Sequence, residues 1–322
     1  MNIRFKFAAA IGIAASLTAF ADVKVNENFS VNGYAVGSWT TTDPDCGKRS
    51  ETYLKNGTLF GNTDAVKLGL LGTSGKASAY GSLLYLPAAG STNEAGLLDA
   101  YATYDTGKGL KLTGGKFLSY LGYEAFDAVN MAQLTYGYTI FAVPAYHTGA
   151  KLDYSTKEFS VGIAAVDSVF GGSKGFFEGD REYSDDLGVE VMLSYTGIKN
   201  LTLFGGIASE DTHNAANKLF IVDLWASYAV SDKVTLGGEV DMQEDVGEGW
   251  LAFLGYKFND RFSSAFRLSG FKADAGGKDT KWTVAPTFAL SPYASIRAEF
   301  SLGEGDVYGD YKFYGVQAVL KW

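Results

Sequence analysis

The sequence predicts an all-β chain: a transmembrane antiparallel barrel of about sixteen strands, with a leader before it and a third external loop folded inward. Three observations predict it. Apolar and polar residues alternate in segments of about ten residues, the connections between those segments are short and long in turn, and the last strand ends on an aromatic, Trp322.

The leader is "MNIRFKFAAAIGIAASLTAFA", with Arg4 and Lys6 before an apolar run and Ala19-Phe20-Ala21 before Asp22. That order is the signature of a secretory signal peptide covering residues 1–21, and residues 22–322 form one barrel domain. Its apolar run of about 14 residues is shorter than the roughly 20 that a spanning helix needs. Removing Arg4 and Lys6 takes the formal net charge from −9 to −11, and no basic stripe remains to neutralise phosphates, so nucleic acid is excluded as a partner. Cys46 is the single cysteine, which rules out an intrachain disulfide and the Cys/His sets of zinc sites. Forty glycines, 15% aromatic residues and five prolines fit neither a disordered chain nor an ordinary α/β enzyme.

From residue 64 onward the strands can be read by parity. In "NLTLFGGIAS", Leu201, Leu203, Gly205 and Ile207 oppose Thr202, Phe204, Gly206 and Ala208. Comparable rows are Leu187/Val189/Val191/Leu193/Tyr195, Val234/Leu236/Gly238/Val240/Met242 and Ala294/Ile296/Ala298/Phe300/Leu302. Nine to eleven tilted residues cross a bilayer as a strand. Short turns are predicted at 73–76, 106–109, 155–158, 196–200, 230–233, 259–261 and 291–293. Long links are predicted at 42–63, 87–96, 119–146, 168–185, 210–217, 244–248, 272–279 and 304–310. Seven short turns and eight long loops join sixteen strands with both termini on the short-turn side, as in outer-membrane barrels. A soluble β-sandwich also alternates, but it has no reason to sort its connections by length onto two ends.

The last strand has Tyr314, Val316, Ala318, Leu320 and Trp322 on one parity, and Gly315, Gln317 and Lys321 on the other, where Val319 alone breaks the polarity. Other aromatics at strand ends on the apolar parity are Tyr195, Tyr228, Trp250, Tyr256, Phe258 and Trp282, as interfacial girdles require. Trp322 is read as a terminal signal for the barrel-assembly machinery, although such signals more often end in Phe.

Parity also sorts the charges inward. Lys67, Lys111, Lys151, Lys257, Arg267, Arg297 and Lys321 are matched by Asp99, Asp153, Glu190, Asp223, Glu239, Asp241 and Glu299. A Lys or Arg facing lipid near mid-membrane costs about 2–4 kcal/mol, so these groups must face water or one another. Sixteen strands leave an aqueous lumen, whereas eight would leave only packed side chains.

The third long loop holds 28 residues, seven of them aromatic, and two acids, Glu124 and Asp127. A segment so apolar is expected to fold into the barrel mouth; the alternatives are a cap outside the barrel or a contact with a neighbouring subunit. In the inward arrangement Glu124 and Asp127 would meet Arg267 or Arg297, and Tyr120, Tyr123, Tyr136 and Tyr138 could instead stay exposed and stack on sugar rings. The segment Gly115–Tyr154 resembles the diagnostic stretch of the OmpL-like β-barrel porins, the porin-2 group. The matching positions are Gly122-Tyr123-Glu124, Asp127, Asn130, Pro144 and His147-Thr148-Gly149, followed by a strand ending at Tyr154. Where that family often has a Ser-Arg-Ser-like step, this chain has Leu134-Thr135-Tyr136, so the loop itself brings no cation to the constriction. The resemblance implies an outer-membrane porin that passes small hydrophilic solutes, with sugars one candidate, and it makes His147 a structural residue at the loop's end.

The rival from another class is a barrel hydrolase of the omptin type, which uses rim carboxylates and an Asp-x-His pair. Asp43-Pro44-Asp45 and Asp211-Thr212-His213 match it only at the level of single motifs, so no catalytic residue is assigned. Acidic loops at 177–186, 243–248 and 302–310 lack the ordered oxygen spacing of an EF-hand, and no metal ligand or cofactor is assigned. Partners expected of such a barrel are outer-membrane lipid, lipopolysaccharide and the assembly machinery; association of three copies is left open.

Overall fold

Lipid offers no hydrogen bonds to a free strand edge, so alternation suits a bilayer only if every strand is paired on both sides. A computed structural model of the chain describes residues 23–44, 50–53, 64–87, 94–170, 187–210 and 219–322. The leader, Cys46 and most of the first, second, fourth and fifth long loops lie outside the described residues. The strands are β1 (Val23–Lys24), β2 (Phe29–Pro44), β3 (Ser50–Tyr53), β4 (Ala65–Ser74), β5 (Ala77–Leu86), β6 (Glu94–Asp105), β7 (Leu110–Leu118), β8 (Tyr146–Ser155) and β9 (Phe159–Val166). They continue as β10 (Gly188–Tyr195), β11 (Leu201–Glu210), β12 (Leu219–Ala229), β13 (Val234–Gln243), β14 (Gly247–Lys257), β15 (Phe262–Ala273), β16 (Lys278–Ser291), β17 (Ala294–Gly305) and β18 (Tyr311–Lys321). β1 and β3 are short accessories paired to β2, and the other sixteen close an antiparallel ring. Among the described residues no helix is long and apolar enough to cross a membrane, so strands do the crossing.

Closure joins β18 to β2, from Tyr311↔Pro44 to Lys321↔Tyr34. Two further bonds extend the seam: the Gly33 N–H donates to the Trp322 carbonyl and the Trp322 N–H to the Gly33 carbonyl, each at 3.0 Å. A side chain at Gly33 would meet the Lys67 carbonyl and lie 2.8 Å from the Trp322 ring, so the indole lies over a bare stretch of backbone. The seven short turns fall at the predicted positions, and up-and-down pairing puts them all at one end. At the other end the links predicted as long at 244–248 and 272–279 are tight as well, because β13 runs to Gln243, β14 starts at Gly247, β15 runs to Ala273 and β16 starts at Lys278.

Parity holds along the wall. Leu203, Val240, Leu320 and the girdle residues Tyr195, Tyr228, Trp250, Tyr256, Phe258 and Trp282 are exposed on the outer surface. Lys67, Asp99, Glu190, Asp223, Glu239, Asp241, Arg267, Arg297 and Glu299 are buried inside. Val319, the polarity break in the last strand, packs inward with Tyr34, Val36, Leu84 and the loop residues Ala128 and Val129. It is an interior apolar contact, not an error of register.

Lipid-face charge should therefore be resisted by position. Leu203→Arg is expected to destabilise the barrel by about 2–4 kcal/mol, whereas Thr202→Arg on the other parity should retain the heat-modifiable folded band. Equal loss of that band on semi-native gels would refute the register.

Candidate functional site

Tight turns close most of the ring, so a 27-residue excursion between β7 and β8 must find its own partners. The segment from Ser119 to Ala145 finds them inside the barrel, with Leu121, Ala128, Val129, Met131 and Leu134 all buried. Two 3-10 turns, Ala128–Asn130 and Tyr138–Phe141, are its regular structure.

Its first limb donates to wall carboxylates. Ser119 Oγ donates to Glu190 at 2.7 Å, Tyr120 Oη to Asp153 at 2.6 Å, the Gly122 N–H to Asp223 at 2.7 Å and the Tyr123 N–H to Glu239 at 2.6 Å. Its middle limb mostly accepts from wall cations. Arg267 donates to the Thr135 carbonyl at 2.8 Å, Lys281 to the Tyr136 carbonyl at 2.9 Å and Arg297 to the Gln133 carbonyl at 3.1 Å. Glu299 reverses the pattern by accepting the Leu134 and Thr135 N–H groups at 2.6 and 3.0 Å. Carboxylates on β8, β10, β12 and β13 thus form one arc, cations on β15, β16 and β17 the next, and the loop bridges both.

The loop's two acids complete the attachment. Glu124 pairs with Arg267, as expected. Asp127 does not meet Arg297; it pairs with Lys67 at 3.1 Å and accepts from Tyr34 Oη at 3.3 Å, while Lys67 also holds Asp99 at 3.0 Å. Arg297 is taken up by the carbonyls of Gln133 and Ala128 instead. Lys111 stands apart from the loop, 3.8 Å from Asp105 near the turn end. Lys281, Tyr34 and His147 are the holding residues that charge matching on the sequence missed, although Lys281 shares the inward parity of Asp279 and Thr283. His147 is fully buried, donating from Nδ1 to the Ser168 carbonyl at 3.1 Å, with Nε2 2.8 Å from Glu190.

The tyrosines are not a sugar-stacking platform. Tyr123, Tyr136 and Tyr138 are buried, and Tyr120 is held by Asp153 and lies under the Lys151 ammonium. Tyr123 packs edge-on against Trp225, its hydroxyl seated where a side chain at Gly237 would stand; Gly162 makes room for Tyr120 in the same way. Below the loop, at the turn end, a cavity of 650 Å³ is lined by Lys257, Arg261, Arg297 and Lys321 with one acid, Asp260. Lys257 lies 2.9 Å from Asp260, and its hydrogen bond and charge hold that carboxyl below the usual range. Asp45, Asp211, Thr212 and His213 of the hydrolase reading lie outside the described residues, and Asp43 is an exposed residue at the end of β2.

A closed sixteen-stranded barrel with a charged interior and a long loop folded into its bore is a porin. The chain belongs to the OmpL-like family of putative beta-barrel porins, porin-2, whose match spans residues 70–304. Solved structures with the same fold include Pseudomonas putida OprB (TM-score 0.72, 10% identity, covering 92% of this chain and 94% of that one). The anion-selective porin of Comamonas acidovorans is similar at TM-score 0.68 and 12% identity, over 91% and 99% of the two chains. Salmonella typhi OmpF, solved with daunomycin, is similar at 0.69 and 12%, over 94% and 100%. No curated protein matches the sequence.

Removing one partner of a buried ion pair leaves the other uncompensated, at a cost of about 3–5 kcal/mol. Arg267→Met should therefore lower unfolding stability in detergent by about that much, whereas Lys111→Met, at a half-exposed pair, should change it by less than about 1 kcal/mol. Similar urea midpoints for the two variants would show that the loop attachment contributes little.

Proposed function

We propose that the protein is a passive outer-membrane pore for small hydrophilic solutes, and that residues 119–146 set its bore. The observation that carries this reading is the attachment of the loop to both the acidic and the basic arcs of the wall. A segment held on both sides narrows whatever path crosses the lumen, and fixed polar groups there select solutes by size and charge. Basic residues outnumber acids around the cavity under the loop, which favours anions on the turn side. The chemistry is diffusion rather than catalysis, and no reacting group is assigned.

On the same reading residues 1–21 are removed on export, lipid and lipopolysaccharide surround the outer face, and the assembly machinery recognises the strand ending at Trp322. Copies would associate as a homotrimer through the outward apolar groove at Ala252, Phe266, Trp282 and Phe300.

Deleting residues 124–140 is expected to raise single-channel conductance severalfold in planar bilayers and to relax size exclusion. The wild-type reversal potential in a KCl gradient should lie towards chloride. Unchanged conductance from a folded deletion variant would place the constriction elsewhere, and peptide cleavage by the same preparation would favour the hydrolase.

A further inference from the structure

Three wall carboxylates go beyond what loop attachment needs. Asp223 on β12 and Glu239 and Asp241 on β13 face inward, each at least 97% buried, and each offers an oxygen within 4.8 Å of the other two. Asp223 and Asp241 are direct cross-strand partners, so the pairing of β12 with β13 forces two like charges together. Two oxygens are used by the loop: Asp223 Oδ2 accepts the Gly122 N–H and Glu239 Oε1 the Tyr123 N–H. The other four, Asp223 Oδ1, Glu239 Oε2 and both oxygens of Asp241, accept no well-formed hydrogen bond: the Thr139 hydroxyl lies near Glu239, and Asp241 faces only the carboxylate of Asp223.

Among the described residues no cation balances this cluster. Among the described residues none of the three acids forms an ion pair, and Glu124, the loop acid nearest in sequence to these contacts, is matched by Arg267. The site is roofed by the second 3-10 turn: a side chain built at Gly249 would lie 3.3 Å from Thr139 Cα and 3.6 Å from Asp241 Oδ2. A buried carboxylate left without a partner is strongly disfavoured, and one with both oxygens bare inside an all-acid cluster asks for a positive charge from outside the chain.

We propose that Asp223, Glu239 and Asp241 bind one divalent cation, Ca²⁺ by the chemistry of the donors, and that the ion locks the first limb of the loop to the wall. Carboxylate oxygens alone are the donor set of hard cations, and they disfavour the softer metals that seek nitrogen or sulfur. Ligand distances of about 2.3–2.6 Å let Ca²⁺ sit among oxygens that lie up to 4.8 Å from one another, whereas Mg²⁺ at about 2.0–2.1 Å needs a tighter set. Two of the ligands also hold the Gly122 and Tyr123 N–H groups, so ion and loop share the same carboxylates. The metal is thereby linked to the position of the loop.

The test uses the full barrel, extracted in detergent, stripped with EDTA and dialysed, with Ca²⁺ alone as the probe. Isothermal titration should give one strong site per chain, and Ca²⁺ should raise the midpoint of heat modification over the EDTA-treated protein. Asp241→Asn, which keeps the shape and supplies a donor, should weaken binding at least about tenfold; Glu248→Gln, at an exposed position near the start of β14, should leave it unchanged. If Asp241→Asn fails to fold, Asp223→Asn serves in the same comparison. Binding that survives both triad substitutions, or wild-type protein that neither binds Ca²⁺ nor changes its midpoint, overturns the proposal and assigns the cluster to shared protons. Neither readout uses conductance, so the result is separable from the pore assignment.

Discussion

The structure depends on one constraint: a polypeptide that enters the bore of a barrel must satisfy its backbone polar groups on the wall. From Ser119 to Tyr136 the loop forms almost no regular structure of its own, so beyond the Ala128–Asn130 turn few of its N–H and carbonyl groups pair with one another. They pair with charged side chains instead, carboxylates for the donors of the first limb and cations for the carbonyls of the middle limb. Charge-assisted bonds of this kind are shorter and stronger than neutral ones. The interior charges of the strands are therefore largely the hydrogen-bonding complement of one loop.

That complementarity explains why the near-even balance of inward charges is not spread evenly around the ring. Glu190, Asp223, Glu239 and Asp241 lie on three strands between β10 and β13, and Arg267, Lys281 and Arg297 on β15 to β17. The arcs are ordered by which end of the peptide unit the passing loop presents. An unpaired wall would carry a strong field; this wall, with Glu124 on Arg267 and Asp127 on Lys67, has much of its charge neutralised where the loop touches it.

How much of this could be read in the sequence follows from the range of each interaction. Strands, turns and lipid face were legible because side-chain direction alternates with every residue, so Leu203 and Thr202 declare their sides without knowledge of any partner. The inward fold of the loop was legible from its apolar content. Its pairings were only half legible: Glu124 with Arg267 follows from opposite charge, but Asp127 could equally have met any inward cation, and the choice of Lys67 depends on the path of the chain around the lumen. The four tyrosines admitted two fates, burial against the wall or exposure for sugars, because an aromatic in a loop is unplaced until the wall opposite it is known; that wall carries Gly162 and Gly237 where Tyr120 and Tyr123 dock.

Those glycines bear on what the barrel interior is for. A wide aqueous lumen has no need of missing side chains, yet Gly162 and Gly237 leave hollows that the rings of Tyr120 and Tyr123 fill. Leu134 comes equally close to Gly315, and Val319 is the apolar exception in a polar row because Ala128 and Val129 lie against it. Wall and loop are thus matched in shape as well as in charge, and shape matching of that kind resists the sliding that hydrogen bonds to long flexible side chains would tolerate. The loop is held as part of the wall, and on the proposed function solutes pass by what it leaves open beside it, with the cavity lined by Arg261, Arg297 and Lys321 lying on its turn side.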